Sequence, residues 1–474
     1  MFPRLAMLRS FGVTAFVLLG AIAAYAADSR LAGPWPKKHH DEQNTGQAAY
    51  NGPSTTTVKV KPGFPVRLFS RAQTSPTVAP DGTIFLGLGF SPLCAFDPAG
   101  GTQALQWCTS GGGDARRSSP TLALDPEVIA PGTPPPADNE GLPLASLMVY
   151  LGARDNKLWA VKPVPDGAGN ASTVKWRYKI VRDGDIYASP NVDPLTARIL
   201  LTCRCFDLGV TPIGEIFALE PLPTTAQGAS NWRTVTDAPM QEASPALHPI
   251  TRRIYVGSDT GELYAFSPDG VLVWKSQKFA VRSLHSTPVI GAVASNGATM
   301  IYLSSLDGLH ALRDNGDTVE WLWTFPTEGR VESTPALASI TGAFANTLYL
   351  GDAKGIVYAI KDKENSDGTH SPEEQWREQL TDAKGKKEQL VRVSPALGAN
   401  GKIYIAARST VFALNPGSAG ELAGAGLTRV LWKYQVPMKP ISWSAPAIGY
   451  FWEQGQQKPV VYIGANHRLY AFVE

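Results

Sequence analysis

Residues 244–274 read SPALHPITRRIYVGSDTGELYAFSPDGVLVW, and the fold of the chain follows from this stretch. Ser244 to Leu247 opens a short strand. Arg252 to Gly257 alternates into a second, Glu262 to Phe266 forms a third and Val271 to Trp274 a fourth, with turn residues at Asp259–Gly261 and Ser267–Gly270. The apolar residues recur with period 2 and not 3.6, so the unit is a four-stranded meander.

The same unit recurs along the whole chain. Its opening, a small or hydroxyl residue before proline, appears at Ser75-Pro76, Ser119-Pro120, Ser189-Pro190, Ser244-Pro245, Thr287-Pro288, Thr334-Pro335, Ser394-Pro395 and Ala445-Pro446. An apolar-x-Ala-apolar phrase follows each proline, from Leu93–Phe96 to Leu469–Phe472. Trp107, Trp176, Trp232, Trp274, Trp323 and Trp432 close most units, and Trp376 closes another beyond a charged insert. A Trp there fills the gap between neighbouring sheets. Repeated four-stranded units of this length are propeller blades, which predicts an all-β, eight-bladed β-propeller of four-stranded antiparallel blades. The eighth unit ends after its third strand at Glu474, and Phe64 stands where other units place Trp, so the stretch Phe64–Ser70 is expected to supply the missing strand and close the ring. Inserts at 126–143, 361–389 and 416–426 read as surface loops by composition.

The ends and the cysteines set the compartment. Arg4 and Arg9, the apolar stretch Phe11–Ala23 and Ala24-Tyr25-Ala26 form a signal-peptide pattern with cleavage expected after Ala26. The expected organisation is a signal peptide over 1–26, an extended lead-in over 27–57 and a single propeller over 58–474, periplasmic or secreted. No lipid-acceptor Cys follows the signal and no later apolar run is long enough to cross a bilayer. Cys94 and Cys108 flank the turn at Gly100-Gly101 and are expected to be bridged, as cysteines of exported chains usually are. Cys203 and Cys205 alternate near a strand end and point to one face; a bridge, free thiols and a metal site all remain open for them. The net charge is +2 with no basic stripe, which excludes nucleic acid as an expected partner.

The residue three before each proline is the candidate site. Round the ring it reads Gln73, Arg117, Tyr187, Glu242, His285, Glu332, Arg392 and Trp443, far more polar and varied than the repeat around it. In an inner strand this position lies near the mouth of the central channel. These groups either pair with one another and with channel water or bind an anionic or polar ligand. Metal binding by Glu242, His285 and Glu332 rests on too few ligands to be expected. No G-x-S-x-G, H-E-x-x-H, P-loop or C-x-x-C-H motif is present, so no catalytic residue is assigned. Asp259 and Asp307 read as turn acids, and His39-His40-Asp41 as part of an unstructured lead-in.

The repeat Ser-Pro-Ala…Ile-Tyr-Val-Gly-Ser…Gly-Glu-Leu-Tyr-Ala-Phe…Asp-Gly…Val-Trp-Lys resembles that of the PQQ-like (quinoprotein/BamB-type) β-propellers, from about Trp35 to the end of the chain. The lead-in with Pro34-Trp35-Pro36, His40-Asp41 and Thr45-Gly46 is similar too. The resemblance implies one of two activities. Quinoprotein dehydrogenases bind pyrroloquinoline quinone and Ca²⁺ at the mouth of the ring. BamB-type scaffolds bind partners without a cofactor. The chain departs from the dehydrogenases in having Cys203-Arg204-Cys205 in place of an adjacent Cys pair and in lacking a Gly-Asp-Asn stretch. The expectation is therefore a monomeric, non-catalytic binding or scaffold propeller of the cell envelope with a protein or peptide partner and no cofactor. A PQQ- and Ca²⁺-dependent alcohol or sugar dehydrogenase is the alternative.

Overall fold

The computed structural model describes residues 29–474 apart from 90, 111–114, 116, 134–141, 165–171, 181–183, 208–210, 226, 281–285, 339–343, 390, 438–440 and 442–443. Eight antiparallel sheets follow one another round a central axis. In blade 4 the strands are Ala246–Leu247, Ile254–Gly257, Leu263–Phe266 and Leu272–Lys275, within one or two residues of the sequence reading. Their register aligns Ala246, Tyr255, Ala265 and Trp274 in one row across the sheet. The same small–aromatic–small–Trp row recurs as Ala336, Tyr349, Ala359, Trp376 and as Ala396, Tyr404, Ala413, Trp432. This row explains the repeated alanine. The Tyr and Trp rings on either side of it approach to 5.9, 5.8 and 6.1 Å in the three blades, and a larger side chain between them would force them apart.

The ring closes at blade 8. Its strands Ala447–Glu453, Gln456–Ala465 and Arg468–Val473 come from the C-terminus, and the outer strand comes from the N-terminal side in two short pieces, Lys59–Val60 and Val66–Arg67. Phe64 lies between the pieces and packs on Tyr462 at 6.0 Å, in the place of the missing Trp. Both chain ends are thereby tied into one sheet, which leaves no open edge at the seam.

The Ser/Thr-Pro step has its own physical role. The backbone N–H of Ser75 donates to the hydroxyl of Ser119, Ser119 to Ser189, Ser189 to Ser244, Ser244 to Thr287, Thr287 to Thr334 and Thr334 to Ser394, all between 2.9 and 3.2 Å. Ala445 N–H donates to Ser75 and completes the circuit from the other side. Every participant is buried, so each bond satisfies a polar group that water cannot reach. The one interruption is at Ala445, which has no hydroxyl to accept from Ser394.

The lead-in does not hang free, as expected from the sequence; it crosses the axis and plugs one end of the channel. Leu124 N–H donates to Arg30 O, Leu122 to Pro36 O, Val78 to Trp35 O, Leu247 to Glu42 O, Ile290 to Gln43 O, Leu337 to Thr45 O and Leu397 to Gly46 O. Inner strands of six blades are thus capped by one segment, and Asn191 of blade 3 adds a side-chain bond to Glu42 O. His39, His40 and Asn44 take positive φ to make the tight path. The sequence offered little warning, because a segment that pairs with eight-fold ring ends has no internal period.

Two inserts also differ from the expected loops. Residues 361–379 lengthen the outer hairpin of blade 6, Ile356–Glu364 paired with His370–Gln379, whose exposed faces carry the charge. Residues 416–426 hold a short helix, Ala419–Gly424, opened by a Ser418/Glu421 capping box. The insert at 126–143 lies partly outside the described residues. Both cysteine pairs are bridged. Cys94 stands directly opposite Cys108, and closing that 15-residue loop is worth about 3 kcal/mol. The Cys203–Cys205 bridge spans a single residue, so by the same loop-closure argument it adds far less as a staple. No helix among the described residues is long and apolar enough to cross a membrane.

The belt makes a two-sided prediction. Ser189→Ala strands a buried N–H and should destabilise the fold by about 1–3 kcal/mol. Ala445→Ser supplies the absent acceptor and should stabilise it by about 1 kcal/mol. Urea unfolding of both variants checks this; a neutral Ser189→Ala would remove the belt from the stability account.

Candidate functional site

Of the residues three before each proline, Arg117, Tyr187, Glu242, Glu332 and Arg392 make contacts that join different blades round the channel. Arg117 of blade 2 reaches Glu242 of blade 4 in an ion pair and passes over the ring of the intervening Tyr187 at 5.2 Å. On the other side, Glu332 of blade 6 pairs with Arg392 of blade 7 at 3.0 Å and with Arg330 at 2.9 Å. The structure therefore brings Arg117, Tyr187 and Glu242 into one group and Glu332 and Arg392 into a second. Gln73 is half-buried and joins neither among the described residues. His285 and Trp443 lie outside the described residues.

The sequence reading missed the floor of this site. Lys38, on the plug, is close enough to Arg117 for the two cations to repel. Burial and that repulsion lower the Lys38 ammonium from its usual 10.5 to about 8. Burial also lowers the Arg117 guanidinium, against the pull of Tyr187 and Glu332, while Arg392 and Arg154 push it further down. Lys37, beside Lys38, turns the other way. It is fully buried, donates to Asn44 Oδ1 and Asp41 O, and is likewise pushed down to about 8 by burial. Position in the sequence could not assign these lysines, because a Lys-Lys pair in a polar lead-in reads as solvated.

The described mouth thus sets Lys38, Arg117, Arg154, Arg330 and Arg392 against Glu242 and Glu332. Ca²⁺ takes six to eight oxygen ligands, several of them carboxylate. Here the two carboxylates are engaged by arginines, and the excess of positive charge repels a cation. The described residues do not fit Ca²⁺. The Cys203–Cys205 bridge is also unlike a lid over a flat ring system, because both cysteines are fully buried in the apolar layer between blades 2 and 3.

Two buried histidines have catalytic-looking neighbours and a structural job. His310 Nε2 meets Ser305 Oγ at 2.7 Å and its Nδ1 meets Thr324 Oγ1 at 2.8 Å. Asp307 accepts from Ser305, and not from the histidine as an orienting acid would, and burial lowers His310 to about 4. His248 accepts from the N–H groups of Ile250 and Thr251 and is similarly lowered to about 4 by burial. Asp259 accepts from Gln241 N–H in its turn, and burial raises it to about 6.

A family model described as outer membrane protein assembly factor BamB matches residues 214–436, from the third strand of blade 3 to the end of blade 7. The solved structure of a europium-containing methanol dehydrogenase superposes with a TM-score of 0.60 at 12% identity, covering 93% of this chain and 98% of that one. Over residues 214–436 the chain carries the PQQ-like repeat of that family model, within an eight-bladed β-propeller. BamB from Moraxella catarrhalis is similar at 14% identity and a TM-score of 0.49, over 88% of this chain and 100% of that one. Comparison with curated proteins gives no match. At these identities the likeness of this propeller to the solved structures is one of fold, and its chemistry rests on its own residues.

The shifted Lys38 has a measurable consequence. The unfolded chain holds that proton up to about pH 10.5 and the folded chain releases it from about pH 8, so the unfolded state binds more protons between the two and stability rises with pH in that window. Lys38→Met should stabilise the protein at pH 7 by on the order of 1 kcal/mol and flatten that rise. Denaturation at pH 7 and pH 9.5 measures it; a variant with the same slope as the parent would place Lys38 in open solvent.

Proposed function

We propose that this propeller is an exported, non-catalytic binding or scaffold protein of the cell envelope, whose partner is another envelope protein or a peptide. The observation that carries the reading is the state of the mouth carboxylates. Glu242 is ion-paired to Arg117 of blade 2, and Glu332 to Arg392 of blade 7 and to the adjacent Arg330, and among the described residues the mouth has more cations than anions. Such pairs hold inner strands of different blades together, and they leave no carboxylate set for a catalytic metal among the described residues of the mouth. The description of the matching family model, an assembly factor, supports the same reading.

The opposite face supports it too. Val128, Leu195, Ile250 and Trp452 are each about half-exposed, at 54, 53, 47 and 59%. Val128, Leu195 and Ile250 come from connections between the inner and second strands of blades 2, 3 and 4, and Trp452 from the last turn-side residues of the inner strand of blade 8, so the topology places them at the plugged end. Large apolar side chains gathered at one end of a disc suit a partner surface better than solvent.

The test is to mix the mature protein with pyrroloquinoline quinone and Ca²⁺ and follow tryptophan quenching, then dye reduction with simple alcohols and sugars. No saturable binding at micromolar quinone is expected. Saturable binding with turnover would make the protein a dehydrogenase and turn Arg117, Glu242, Glu332 and Arg392 into its active site. Export has a separate check: the protein recovered from an envelope or periplasmic fraction should begin at Ala27, and a cytoplasmic protein beginning at Met1 would remove it from the envelope.

A further inference from the structure

Blade 3 holds a cluster of metal-ligating side chains away from the channel mouth. Its second strand, Ile199–Asp207, carries Cys203 and Cys205 on one face, and its third, Thr211–Leu219, places Glu215 directly opposite Cys203 in register. The two sulfurs and a carboxylate oxygen of Glu215 all lie within 4.8 Å of one another. All three residues are fully buried. Ile186, Tyr178, Ile180 and Ile213 belong to the same apolar layer.

A structural bridge accounts for only part of this. As a staple across one residue, the Cys203–Cys205 bond constrains little chain. A disulfide is also apolar and asks for no carboxylate beside it, whereas a pair of thiolates with a carboxylate is a donor set for a borderline or soft divalent cation. The alternation of the strand presents both sulfurs to one side, and the cross-strand register brings the third donor to them. Three protein donors from two adjacent, hydrogen-bonded strands form the rigid part of a tetrahedral site, with the fourth position left for water or another group.

We propose that Cys203, Cys205 and Glu215 form a buried Zn²⁺-class site, filled when the cysteines are in the thiol form. The bridged and metal-bound forms are then alternative states of the same residues. A dithiol reductant supplies two electrons and two protons to the bridge, giving two thiols and its own disulfide. The incoming divalent cation then displaces the two thiol protons, and Glu215 binds as a carboxylate. The site is independent of the channel mouth, so its presence or absence leaves the scaffold reading as it stands.

The experiment uses the full mature chain, reduced with a dithiol, freed of reductant under nitrogen and titrated with Zn²⁺ or Co²⁺. Metal content after dialysis and the thiolate-to-Co²⁺ charge-transfer absorption are read. Reduced protein should take up one Zn²⁺ more than oxidised protein and show the charge-transfer band. Cys203→Ser with Cys205→Ser should lose both, and Glu215→Gln should bind about tenfold or more weakly while keeping the band. Circular dichroism of each variant confirms that it is folded, and Cys203→Ala alone stands in if the double variant does not fold. Equal uptake by reduced and oxidised protein, or binding by Glu215→Gln as tight as by the parent, overturns the proposal.

Discussion

Seven of the eight blades give a neighbour one hydrogen bond at the same place: the backbone N–H of the residue before proline meets the hydroxyl of the next Ser/Thr-Pro step round the channel. Proline follows each of these residues and cannot donate, so the preceding N–H and hydroxyl are the polar groups left to link the inner strands. The spacing of the inner strands follows from this belt. Outside it, the Tyr–Ala–Trp rows fill the widening gap between sheets with aromatic area. At the seam the same two devices are completed by the N-terminal side of the chain, with Phe64 in the Trp position and Ser75 as the last acceptor. Close packing follows there as well: a Cβ on Gly464 would come within 2.4 Å of Ala72 Cβ.

Closing the axis creates the electrostatic character of the molecule. The plug satisfies the free ends of inner strands with its own backbone, and in doing so it carries Lys37 and Lys38 into the channel region. Lys37 is compensated by Asn44 and a backbone carbonyl. Lys38 faces the arginines of the mouth, where burial and like charge both work against its proton. The ion pairs Arg117–Glu242 and Arg392–Glu332 then offset part of the charge and link blades 2 and 4 and blades 6 and 7. A site built in this way resists a divalent cation.

The fold was legible in the sequence, and the reasons are local. Strands of blade 4 fell where alternation and turn residues placed them, and Phe64 was recognisable because it stood at a fixed distance before a proline. Variation at one place in a constant repeat singled out Arg117, Tyr187, Glu242, Glu332 and Arg392 in the sequence, but not which of them meet. Arg117 pairs with Glu242 across an intervening blade because its side chain is long enough to span Tyr187, and sequence spacing does not register that reach. The plug and the lengthening of the blade 6 hairpin through 361–375 were hidden for a related reason: polar composition describes their exposed faces and is silent about the hydrogen bonds of their backbones.

By itself the sequence determined the number of blades, the strand order within each, the closing of the ring by its two ends and the pairing of Cys94 with Cys108. All of these depend on near neighbours in the chain or on a period repeated eight times. Tertiary structure alone decided that the lead-in fills the channel, that the belt runs hydroxyl to amide, that the mouth is arginine-rich around paired carboxylates, and that Glu215 lies against Cys203 and Cys205. These features join residues from different blades or from adjacent strands, and their distances are set by the curvature of the ring, which no stretch of the chain carries on its own.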